Sequence, residues 1–88
     1  MAATPPRAEV ADLRKQVESL VRLMVDLPDE VAVFEVQEDA ATIFEVEVAP
    51  DDVGKVIGRR GATVRALRTL LDARAALDDE LYELEVLD

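Results

Sequence analysis

The chain predicts an α+β domain in which a three-stranded mixed sheet carries its helices on one face, in the order helix, strand, strand, helix, helix, strand. Three observations lead there. The first third has apolar residues at alternating three and four spacing, the period of one helix face. Two short alternating segments follow, joined by four residues, and a third closes the chain. Between them lies a stretch of helical pattern broken by a pair of glycines. The short link makes the first two strands antiparallel. A crossover of two helices returns the last strand parallel to the second by the right-handed rule.

Met1 to Pro6 reads as a frayed arm, with Thr4 a candidate N-cap ahead of the prolines. From Ala8 to Leu27, Val10, Leu13, Val17, Leu20, Met24 and Leu27 form an apolar stripe that Val21 widens, and Pro28 ends it. A short coiled-coil seam uses the same spacing; packing on the domain's own sheet is the simpler use.

Val31–Gln37 and Thr42–Val48 read as strands joined by Glu38-Asp39-Ala40-Ala41, a turn without glycine. In the second strand, Thr42, Phe44, Val46 and Val48 share the inner face while Glu45 and Glu47 point away. Phe34 and Val36 are expected to join the inner face. Pro50-Asp51-Asp52 opens the next helix, and the acidic pair is read as its cap rather than as a catalytic or metal pair. Tyr82 to Leu87 alternates again, with Glu83 and Glu85 outward. The uncovered face should then carry Glu35, Glu45, Glu47, Glu83 and Glu85, with the three aromatic residues, Phe34, Phe44 and Tyr82, in the core.

Composition narrows function. Eighty-eight residues suit one small domain. With no cysteine there is neither a disulfide framework nor a thiolate metal site, and with no histidine the usual general base and nitrogen ligand are missing. Ser19 is the only serine and has no such base to activate it, so catalysis is not expected, nor is a metal or cofactor. No apolar run approaches a membrane span, and the first residues lack the apolar core of a signal peptide, which points to the cytoplasm. The net charge of −10 is unevenly spread. Val53 to Arg74 holds six cations (Lys55, Arg59, Arg60, Arg65, Arg68 and Arg74) against Asp72, a local +5 on a remainder of −15.

That basic stretch centres on Gly58-Arg59-Arg60-Gly61, flanked by Val53, Val56 and Ile57 before and by Val64, Leu67, Leu70 and Leu71 after. Gly58 is expected to take a left-handed conformation that stops one helix, and Gly61 to let another backbone approach as the next begins. Free N–H groups and the positive dipole end of that helix suit a phosphate, and Arg59 and Arg60 can fork onto its oxygens. The glycine spacing fits neither the Walker loop nor the dinucleotide fingerprint. Arg65 and Arg68, on the outer side of the following helix, suit either solubility or ligand binding.

Embedded as V-I-G-x-x-G-x-x-V-x-x-L between helices, the loop resembles the signature of KH domains, whose G-x-x-G loop clamps the backbone of about four nucleotides. LVRLMVDLPDEV (residues 20–31) and PDDVGK (residues 50–55) are similar to the small bacterial single-domain KH proteins of the KhpA type. The resemblance covers residues 18–88 and leaves 1–17 as an arm and an extension of the first helix. It implies a type II KH fold and a non-catalytic protein binding single-stranded RNA with little sequence specificity. On that reading Lys55, Arg59 and Arg60 hold phosphates with the backbone of Gly58 to Gly61, Ile57 and Val64 floor the groove, and Arg65 and Arg68 assist. The family further implies a homodimer or pairing with a larger KhpB-type protein, and an RNA chaperone or post-transcriptional role tied to growth and division. The turn Asp78-Asp79-Glu80 is expected to rim the groove and repel RNA. The rival expectation is a KH fold used mainly for protein interaction, with RNA binding weak or lost.

Overall fold

The computed structural model describes residues 7–88, and side chains from Val10 onward. The expected arm and the Thr4 cap lie outside the described residues. Helix α1 spans Arg7–Met24, strands β1 and β2 span Ala32–Glu38 and Ala41–Glu47, helices α2 and α3 span Val53–Ile57 and Ala62–Asp78, and strand β3 spans Leu81–Val86. The sheet order is β1-β2-β3, with β1 antiparallel and β3 parallel to the central strand. This is the type II KH order.

One face of the sheet is covered by helices. Val10, Leu13, Val17 and Val21 of α1, Val56 of α2, and Val64, Leu67, Leu71 and Ala75 of α3 are buried in one cluster with Val33, Phe44, Val46, Tyr82 and Leu84 of the strands. Phe44 and Tyr82 meet edge to face with ring centroids 5.7 Å apart, a favoured aromatic geometry. Val10, Leu13 and Val17, in the expected extension of the first helix, belong to the same core cluster as the rest of the domain.

The phase of β1 differs from expectation. Asp39 takes a left-handed φ of 53°, which an aspartate tolerates, so the hairpin closes over Asp39-Ala40 and pairs Glu38 with Ala41. That register sets Val33 opposite Val46 and Phe34 opposite Glu45. Val31 and Val33 therefore face the helices, Phe34 is 47% exposed, and Val36 points to the open face beside Ile43. Glu35 sits opposite the buried Phe44, on the helix side of an edge strand, so it does not line the open face. Phe34 is not a core aromatic.

Both sheet edges are blunted by an arginine. Val46 O accepts from Leu87 N, which turns Val33 and Leu84 toward the free edges, and Arg14 and Arg68 donate to their carbonyls at 3.3 Å each. An occupied carbonyl under a charged side chain is a poor template for a further strand.

Helix α1 ends at Met24, before the Pro28 stop, because its next amides go elsewhere. The Asp26 and Leu27 N–H groups donate to the two carboxylate oxygens of Asp52, at 3.2 and 3.0 Å. Leu27, preceding Pro28, is held out of helical geometry at φ −116°, ψ 74°. Asp52 is 2% exposed and makes no capping bond to α2, so the expected cap is instead a tertiary acceptor. Burial works against its charge, but the Leu27 and Asp26 amides and Lys55 outweigh it and hold the Asp52 carboxyl below its ordinary pKa.

A depressed folded-state pKa adds stability that is present above the unfolded value of about 3.9 and lost as pH falls through the folded one. Asp52→Asn is expected to lower the melting temperature by several degrees at pH 7 and to shrink the loss of stability as pH falls below about 3.9, as read from thermal melts. Equal acid loss in both proteins contradicts the clamp. Deleting residues 1–17 removes Val10, Leu13 and Val17 from the core, each contributing about 1.5–3 kcal/mol. Against a typical total of about 5–15 kcal/mol, the truncated chain should show little or no cooperative transition by circular dichroism.

Candidate nucleic-acid interface

Helix α2 is only five residues long, too short to persist alone, and is fixed by Val56 in the core and by Asp52 at its start. From it the chain enters the glycine loop. Gly58 has φ 78° and ψ 171°, a region open essentially to glycine alone, while Arg60 (57°) and Gly61 (74°) are both left-handed in φ. A Cβ at Gly58 would stand 2.2 Å from Thr63 Oγ1 and 2.8 Å from Thr63 N. The close approach expected at Gly61 is thus found at Gly58, whose conformation is extended in ψ; Gly61 is the residue in the left-handed helical well. Thr63, which the sequence did not single out, adds a steric bar to the conformational one at Gly58.

The loop closes with Gly61 N donating to Gly58 O at 3.1 Å, and α3 begins with no side-chain cap. A 17-residue helix thus turns its positive end toward the loop. Arg59 and Arg60 are exposed there. Among the described residues, neither has a carboxylate partner.

The other expected ligands are placed differently. Lys55 Nζ lies 3.2 Å from Asp26 and 3.6 Å from Asp52, so its charge is already answered by two carboxylates. The hydrogen bond and charge of Asp26 hold the Lys55 ammonium above its ordinary pKa despite partial desolvation. Arg65 folds back onto the Arg60 carbonyl and braces the loop, and Arg68 reaches across to Leu84 O at 3.3 Å. Both remain exposed. Ile57 is 38% exposed and available beside the loop, whereas Val64 is buried in the core and offers no contact surface.

Beyond the loop, a cleft of about 310 Å³ runs between α3 and the edge strand β3, lined by Arg68, Leu71, Asp72, Tyr82, Glu83 and Leu84. The acidic turn Asp78-Asp79-Glu80, expected to rim the groove, is not among the residues that line this cleft. At 1.5 Å per residue, α3 carries Asp78 about 25 Å from Gly61, several screening lengths away. Asp78 is also engaged, accepting from Tyr82 Oη at 2.7 Å and Arg74 Nε at 2.9 Å. Those bonds lower the Asp78 pKa. Burial, together with the bond to Asp78, raises that of Tyr82.

Residues 14–86 match the family model described as KhpA/KhpB, KH domain. The chain belongs to the KhpA/KhpB family of KH domains. It is 46% identical over 72 residues to the RNA-binding protein KhpA of Borreliella burgdorferi, covering 82% of this chain and 88% of that one. It is 37% identical over 75 residues to the RNA-binding protein KhpA of Clostridium acetobutylicum, covering 85% of this chain and all of that one. The Treponema pallidum protein of the same name is 45% identical over 69 residues, or 78% of this chain and 86% of the other. No solved structure matches.

The glycine geometry sets an order of tolerance. Gly61→Ala keeps a backbone that non-glycine residues reach at about 1–2 kcal/mol and needs only Arg65 to shift. Gly58→Ala collides with Thr63 backbone and side chain alike, so it should lower the melting temperature more than Gly61→Ala does. The reverse order, read from parallel melts, contradicts the loop geometry.

Proposed function

We propose that this chain is a non-catalytic protein that binds single-stranded RNA, with little sequence specificity, at the Gly58–Gly61 loop. The observation that carries the reading is the loop itself: two exposed arginines that, among the described residues, have no carboxylate partner, at a turn where Gly58 has no room for a side chain, opening onto a helix end with no side-chain cap. Backbone amides and forked guanidinium groups recognise phosphate without reading bases, which accounts for low specificity. Ile57 supplies the apolar contact beside the clamped backbone. Arg65 and Arg68 assist at the flank, and Lys55 acts chiefly by holding α2 in place. The family name of its relatives, RNA-binding protein KhpA, supports the ligand class.

The same reading makes the protein a cytoplasmic RNA chaperone or post-transcriptional regulator linked to growth and division, acting as a homodimer or with a larger KhpB-type partner. No described helix is long and apolar enough to cross a membrane. Self-association is supported by an apolar cleft of about 230 Å³ between α1 and α3, lined by Leu13, Val17, Leu20, Leu67 and Leu70 among others, with Leu70 60% exposed. One observation favours the second reading, a KH fold serving mainly protein interaction: with Lys55 paired to two carboxylates, the site's attraction rests on at most four arginines in a chain of charge −10.

The two readings separate in a titration with mixed-sequence single-stranded RNA and a matched duplex, at low and physiological salt. Two to four neutralised phosphates predict a slope of log K against log salt of about −1.4 to −2.8 for the single strand. Arg59→Asp with Arg60→Asp should abolish that binding and leave the melting temperature unchanged, since neither side chain packs. Parental affinity in the double variant, or no binding at either salt by the parent, overturns the RNA reading.

A further inference from the structure

The face of the sheet turned away from the helices is not uniformly polar. In register, its rows read Phe34–Glu45–Glu85 and Val36–Ile43–Glu83 across the three strands, with Glu47 above Glu45 and Leu81 below Glu83. An apolar band therefore crosses the face diagonally, from Phe34 through Val36 and Ile43 to Leu81. Phe34 is 47% and Leu81 60% exposed. The corner beside the band is filled by Glu45, Glu47, Glu83 and Glu85.

These four carboxylates stand on neighbouring strands about 4.8 Å apart and at alternate positions along each. Glu45 and Glu85 are direct lateral partners, an arrangement that costs stability. Among the described residues none of the four forms an ion pair. Folding does not require them, because any neutral polar residue would suit an open face. Their charge selects against several occupants. A second copy would set four carboxylates against four, and RNA or an anionic membrane would be repelled.

We propose that this face docks a protein segment that is basic and amphipathic, an apolar stripe seated on Phe34, Val36 and Ile43 with arginines or lysines over Glu45, Glu83 and Glu85. An apolar centre with a charged border is the composition of a specific, moderately sized contact. The face lies behind the sheet from the helix layer and shares no residue with the glycine loop, so the inference does not depend on the loop's ligand.

The test uses the full chain and a helical peptide bearing a leucine-phenylalanine stripe flanked by arginines, followed by fluorescence anisotropy and amide shifts. The same composition scrambled to destroy the stripe is the control. The peptide should bind more tightly than its scramble and shift amides of β1, β2 and β3. Glu45→Gln with Glu85→Gln should raise the melting temperature by relieving repulsion and yet weaken the peptide about tenfold, the loss of two rim charges. Phe34→Ser, at a half-exposed position, should weaken it while the fold persists. Equal binding of peptide and scramble, shifts confined to α1 and α3, or parental affinity in the glutamine variant each overturns the proposal.

Discussion

A buried carboxylate holds this small domain in its working geometry. Asp52 accepts the Asp26 and Leu27 amides from a point 26 and 25 residues along the chain, and a lysine ammonium completes its shell. Stranded in the core, such a charge would be strongly unfavourable; fully bonded, it fixes three things at once. It stops α1 by claiming amides that would have continued the helix. It orients the single turn Pro50–Asp52 and the five-residue α2 behind it. Through α2, it decides where Gly58 emerges from the core.

The charge distribution follows from that arrangement. Lys55 is paired within the clamp, which leaves Arg59 and Arg60 as the exposed cations of the loop. The acidic turn after α3 is separated from the loop by the length of that helix, and its Asp78 is bound to Tyr82 and Arg74. An acidic body can then surround a small cationic site without cancelling it, because solvated charges beyond about 8 Å are largely screened. Adhesion to nucleic acid elsewhere on the surface is suppressed by the same charges. The KH fold thus separates its surfaces: a cationic turn at one end, an apolar cleft along the helices, and an acidic and apolar face behind the sheet.

Much of this was legible in the sequence because its signals are local. The periodicity of α1, the two connection lengths that set strand direction, and the G-x-x-G turn between apolar helical runs are all read within a few residues of themselves. What escaped depended on distant partners. Either phase of AVFEVQE buries apolar residues, and only the hairpin register, set by Asp39 taking a left-handed φ without glycine, chooses Val33 over Phe34. Asp52 stands where a cap would stand, and nothing nearby announces that its acceptor role lies across the chain. The pairing of Lys55 was hidden for the same reason: its carboxylate at Asp26 is remote in sequence. Val64 follows the loop closely enough to suggest contact, but its position on α3 turns it into the core.

The claim at the centre of this account is that the backbone of the glycine turn and the start of α3 meets the phosphates. It is tested most directly by recording amide nitrogen and proton shifts of the parent protein while a mixed-sequence single-stranded RNA is added. The account predicts that the largest shifts fall on the amides from Gly58 to Val64, with smaller ones at Ile57 and along the α3–β3 cleft. Largest shifts on the open face of the sheet or at the Asp78–Glu80 turn, with the loop unmoved, would contradict it.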